Sequence, residues 1–84
     1  MITKEIEINI PSGLDARPVA VLVQVASQYE CNINVLTVDK RVNAKSIMGM
    51  MSMGIAAGEK VTVTADGSDE KEAIENIEKY LSSK

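Results

Sequence analysis

The chain has 84 residues, and a chain of that length buries only about 60–65% of its unfolded surface, so one small core and one domain spanning residues 1–84 are expected. Hydrophobic residues make up 45% and charged residues 25%, an ordinary globular balance, while a net charge of −3 and two tyrosines as the sole aromatics argue against direct nucleic-acid binding by field or by stacking. The absence of histidine removes imidazole acid–base catalysis and nearly every zinc scheme, so neither a metal nor a cofactor is expected; one cysteine, Cys31, excludes an internal disulfide and fits a reducing cytoplasm.

Ile2, Ile6, Ile8 and Ile10 alternate with Thr3, Glu5, Glu7 and Asn9. Period two with β-branched residues predicts a half-buried strand, stopped by Pro11, Ser12 and Gly13. The alternation also differs from a signal-peptide core. From Ala16 to about Gln28 the period changes. Val19, Leu22, Val23 and Ala26 share one helical face, and Arg17, Ala20, Val21 and Gln24 the other. Asp15 is placed to cap this helix, with Pro18 in its first turn, where a missing N–H costs no intrahelical bond. Val19–Val23 is the longest apolar run and falls far below the roughly 20 residues of a membrane span, so no membrane insertion is expected.

A second strand is predicted over 31–37, with Cys31, Ile33 and Val35 on one face. A weak turn at Val38 and Asp39 leads to a short strand over 40–42. Ser46 precedes an apolar run and signals a helix start, with Gly54 as its stop. At 100° per residue Met50 and Met53 lie together, while Ile47, Met48 and Met51 cluster on another side, so this helix is apolar on two faces. A fourth strand follows within 58–66, where Val61, Val63 and Ala65 alternate with Thr62 and Thr64. Asp69 and Glu72 fit the start of a last helix. Its buried stripe is Ala73, Ile74, Ile77, Tyr80 and Leu81. The order βαββαβα predicts an α+β fold: an open-faced two-layer sandwich, with a four-stranded antiparallel sheet and three helices on one face.

"GLDARPV" at 13–19 and "VNAKSIMGMMSMGI" at 42–55 closely resemble the two signatures of HPr, the phosphocarrier family of the bacterial sugar phosphotransferase system. The likeness covers nearly the whole chain and points to the Gram-positive branch. In that family the first motif holds a histidine that takes phosphate from enzyme I and passes it to sugar-specific enzyme II. Here the position is Asp15. The chain therefore also resembles the catabolite-repression HPr-like proteins, which lack the histidine and keep the serine, although a neutral glutamine is expected there. An engineered His-to-Asp variant of an ordinary HPr would read the same way.

Three readings of Asp15 stand side by side. As a helix cap it contributes about 0.5–2 kcal/mol over alanine. As a phosphate mimic it supplies one negative charge where a phosphoryl group supplies more, with three strong acceptors. As an acyl-phosphate acceptor it would act as a nucleophile, a role carboxylates fill in other enzymes. Arg17, in the first helical turn, adds a guanidinium suited to binding an anion.

Ser46 is a plain N-cap or a phosphorylation site. Lys45 before it and the patch of Ile47, Met48 and Met51 after it favour the second, since polarizable methionines and exposed apolar patches suit adaptable interfaces. The resemblance implies HPr kinase/phosphorylase as the enzyme acting on Ser46, and a catabolite control transcription factor of the LacI/GalR type as the reader. It implies too that Arg17, Ala20 and Val21 join Ile47, Met48 and Met51 in one partner-binding face. On this reading the protein is a cytoplasmic phosphoacceptor acted on by kinases, not an enzyme; the alternative is a phosphocarrier working through Asp15. Cys31 is expected to be a small buried hydrophobe, and the acids of the last helix (Asp69, Glu70, Glu72, Glu75, Glu78) a solvated face with cap residues.

Overall fold

Alternation along the strands decides which face of the sheet is buried, and the sheet in turn positions the helices. The computed structural model describes residues 1–11, 13 and 16–82. Its elements are β1 (Ile2–Glu7), α1 (Ala16–Ser27), β2 (Asn32–Leu36), β3 (Arg41–Asn43), α2 (Ile47–Met51), β4 (Lys60–Asp66) and α3 (Glu70–Leu81). The strands form one antiparallel sheet in the order β1-β4-β2-β3. Ile6, Ile33, Val35, Val61, Val63 and Ala65 point inward and are buried, while Thr62, Thr64, Asn32 and Asn34 occupy the alternate positions. The three helices contribute Val19, Leu22, Ala26, Met50, Ala73, Ile74, Ile77 and Leu81 to the same core. Fully burying each large aliphatic side chain contributes roughly 1.5–3 kcal/mol.

The predicted architecture is therefore observed, with shifts at the element ends. β1 stops at Glu7, short of Ile8 and Ile10. Ile8 still bonds sideways, its N–H to the Glu59 oxygen at 2.8 Å and its oxygen from Gly58 N–H at 2.7 Å, but Asn9 N–H turns to the Leu81 oxygen at the end of α3. That diversion ends the strand. The β2–β3 turn closes with Thr37 N–H on the Lys40 oxygen at 2.8 Å, leaving Val38 exposed at its tip. Tyr80, assigned to the buried stripe of the last helix, is only half-buried, and its hydroxyl donates to the Pro18 oxygen at 3.2 Å. An aromatic with a polar end settles where that end finds a partner.

α2 has five residues, too few to be helical on its own. Packing and caps hold it. Met50 inserts into the core with no exposure. Gly49 lies so close to β3 that a Cβ there would sit 2.5 Å from Val42 Cγ1. Ser52 Oγ donates to the Gly49 oxygen at 2.6 Å, and Lys40 Nζ to the Ser52 oxygen at 2.9 Å, so carbonyls at the helix end are satisfied. Gly54, at φ 61°, then takes the left-handed conformation that lets the chain leave.

Candidate functional site

Ser46 is the N-cap of α2, as its place before the apolar run predicted. Its backbone is extended (φ −104°, ψ 111°), and its exposed Oγ accepts from Gly49 N–H at 3.2 Å. The preceding turn is fixed by Ser46 N–H on the Asn43 oxygen at 3.0 Å and by Lys45 N–H on Asn43 Oδ1 at 2.8 Å. The hydroxyl thus stands at the open end of a helix, beside N–H groups that a short helix leaves partly unmet.

The methionines divide as the helical period predicts. Ile47, Met48 and Met51 are 48%, 85% and 50% exposed, whereas Met50 is buried and Met53 packs half-buried against the core. α2 packs against α1, whose outward residues Arg17 and Val21 are exposed and whose Ala20 is half-buried. The six residues expected to share a partner-binding face therefore lie on two contacting helices. Asp15, the expected phosphoacceptor or cap, lies outside the described residues. Arg17, the expected anion ligand, is the second residue of α1.

Lys45 departs from its expected part. Its ammonium does not accompany Ser46 but donates to the main-chain oxygen of Tyr29 at 2.6 Å. Asp69 departs too. It precedes α3, yet its side chain makes no cap bond there. Its carboxylate instead accepts from Glu30 N–H at 2.8 Å and Cys31 N–H at 3.0 Å. Those bonds, that from Glu30 foremost, hold the carboxyl below its ordinary value of 3.8. Glu70 is also more than a solvated acid: it accepts from Gly67 N–H at 3.1 Å, and its other oxygen lies 3.3 Å from the terminal ammonium of Met1. Glu78 pairs with Lys4 at 2.7 Å.

Cys31 is buried, as expected. Burial first, and then the hydrogen bond with Asp69, pushes its thiol up to about 11. It is a packing residue rather than a nucleophile. Among the described residues no group of three or more His, Cys, Asp and Glu is placed to hold a metal. An open groove of about 500 Å³ runs between α1 and α3, lined by Val25, Tyr29, Asn76 and Tyr80 among others. Asn76 donates to the Tyr29 hydroxyl within it. No helix among the described residues is long and apolar enough to cross a membrane.

Comparison with known proteins finds relatives that match nearly the whole chain. The family profile described as "PTS HPr component phosphorylation site" matches residues 2–83. The HPr-like protein Crh of Bacillus subtilis (strain 168) is 41% identical over 81 residues, which is 96% of this chain and 95% of that protein. The crystal structure of the phosphocarrier protein HPr from Bacillus anthracis superposes with a TM-score of 0.92 at 41% identity, covering 95% of both chains. That of HPr-C-His from Thermoanaerobacter tengcongensis gives 0.88 at 44% identity, covering 100% of this chain and 99% of the other.

Proposed function

Because the chain belongs to the HPr family of the bacterial sugar phosphotransferase system, we propose that it is a regulatory protein of carbon catabolite control, switched by phosphorylation of Ser46 and then bound by a transcription factor. The observation that carries this reading is an exposed Ser46 hydroxyl beside the exposed side chains of Ile47, Met48 and Met51. Phosphorylation would place about −1.5 to −2 charges at the start of α2. The N–H ends there favour an anion by about 0.3–1 kcal/mol at an exposed site, and no refolding is needed for it to form. The output is a changed surface: an anion next to an apolar patch, fitted to a partner with basic residues around an apolar seat. The partner is a catabolite control transcription factor of the LacI/GalR type, and the enzyme acting on Ser46 is HPr kinase/phosphorylase. Arg17, Ala20 and Val21 extend the docking face along α1. The setting is the cytoplasm, and the protein is acted on rather than catalytic.

Incubation with HPr kinase/phosphorylase and ATP is expected to add one phosphoryl group by intact mass to the wild type and none to Ser46→Ala. The phosphorylated form then binds the transcription factor and the unmodified form does not. Absence of the adduct would overturn the reading.

A second reading keeps the family's phosphocarrier activity and routes it through Asp15, with Arg17 holding the phosphoryl group, enzyme I as donor and enzyme II as acceptor. The match to a phosphorylation-site family favours it. A partner enzyme shaped for imidazole must place a carboxylate oxygen correctly, and an error of about 1 Å can cost about a hundredfold in rate. Enzyme I and phosphoenolpyruvate at neutral pH decide the matter: a stoichiometric adduct that disappears in Asp15→Asn would establish the carrier.

A further inference from the structure

We infer that Met48 and Met51 form a peroxide-sensitive modification site, and that their conversion to sulfoxides closes the docking face on α2. The inference rests on the docking reading given above. Three observations support it. The residues Met48 and Met51 are 85% and 50% exposed, while Met50 between them has no exposure, so one short helix carries both solvent-facing and shielded methionines. The chain's one cysteine cannot act first: Cys31 is buried and its thiol stays protonated at neutral pH, so no thiolate competes for the oxidant. The exposed pair also occupies the apolar patch beside Ser46, where a change in polarity matters most.

The chemistry is a two-electron oxygen transfer from hydrogen peroxide or an alkyl hydroperoxide. A sulfur lone pair attacks one peroxide oxygen, the S–O bond forms and the O–O bond breaks. The leaving hydroxide or alkoxide takes up the proton, giving water or an alcohol. Sulfur is oxidised and the peroxide reduced. Reversal consumes two thiols, which become a disulfide as the oxygen leaves as water. The product is a strongly polar, hydrogen-bond-accepting group in place of a flexible apolar one. Burying it against an apolar seat without a donor is expected to weaken docking about tenfold or more.

Met1 supplies an internal comparison. It is 76% exposed, but it directly precedes β1, at the sheet edge opposite β3, and α2 packs by β3. Its oxidation leaves the α2 face untouched.

The test treats the Ser46-phosphorylated chain with hydrogen peroxide, follows each methionine by peptide mass mapping, and measures affinity for the transcription factor. Met48 and Met51 are expected to gain oxygen before Met50. Affinity should fall about tenfold or more as they do, and recover on treatment with methionine sulfoxide reductase and a dithiol. The variant Met48→Leu/Met51→Leu, whatever its starting affinity, should lose none on peroxide treatment although Met1 is oxidised. Equal oxidation of Met50, or unchanged affinity with both sulfoxides present, would overturn the inference and leave the docking reading standing. Failure of the untreated phosphorylated chain to bind would overturn the docking reading, and this inference with it.

Discussion

The Lys45 ammonium donates to the main-chain oxygen of Tyr29 at 2.6 Å, tying the residue before Ser46 to the turn that follows α1. That turn lies just beyond the C-terminus of α1, the negative pole of the helix dipole, where a cation is favoured. The same loop is held from the other side by Asp69, through Glu30 and Cys31, and by Asn76, through the Tyr29 hydroxyl. Lys45 is thus a tether between α1 and the entry to α2.

Lys45→Met should therefore reduce stability rather than phosphorylation. Loss of a charge-assisted bond at a half-buried site costs about 1–2 kcal/mol, read as a lower urea midpoint with an unchanged slope. Labelling of Ser46 by HPr kinase/phosphorylase should persist, because Asn43 still fixes the Ser46 turn. A large loss of labelling with normal stability would mean that Lys45 serves the kinase directly.

The methionines give a contrast within one helix. Met50→Ala removes a fully buried side chain and should cost about 2–5 kcal/mol. Met48→Ala lies at the surface and should change stability by less than about 0.5 kcal/mol, yet weaken binding of the phosphorylated chain to the transcription factor. Thermal unfolding and titration on the same two variants separate core from docking face.

Gly49→Ala probes the contact between α2 and β3. Its Cβ would lie 2.5 Å from Val42 Cγ1 and 3.2 Å from Ser46 Oγ. Alanine's helix preference returns about 1 kcal/mol, but overpacking typically costs about 1–3 kcal/mol. Net destabilisation is expected, with slower phosphorylation of Ser46 because its cap geometry is disturbed. Urea unfolding and the initial rate of phosphorylation check both parts.

These relationships differ in how visible they are in the sequence. The split between Met50 and the pair Met48 and Met51 follows from the angular step of a helix, and the buried row Val61, Val63 and Ala65 from the two-residue repeat of a strand. Ser46 was legible because capping is local. Lys45, Asp69 and Gly49 were not. Asp69 sits where a cap of α3 belongs, but the fold brings the turn after α1 beside it, and two N–H groups from 38 and 39 residues away take its carboxylate. Lys45 bonds across 16 residues, and the need for glycine at 49 comes from a strand packed beneath it. Spacing along the chain holds no trace of partners that only the tertiary fold supplies.

Asp69 makes the acid limb of stability a test of its tether. Its folded carboxyl titrates below the ordinary 3.8 because Glu30 N–H, and then Cys31, stabilise the anion. The folded state therefore binds fewer protons there than the unfolded chain as the pH falls toward and below that value. Its contribution is complete above about 4 and is lost as the pH drops through the lower folded value. Asp69→Asn keeps the size but not the charge, so the wild type should be more stable than the variant at neutral pH, with the gap narrowing as the medium acidifies below about 4. Glu70, also held low, chiefly by Gly67 N–H, is present in both proteins and cancels in the difference. Urea unfolding of the pair from neutral to strongly acid pH measures the gap. A gap that stays constant across that range would show that the two N–H bonds do not discriminate carboxylate from carboxamide.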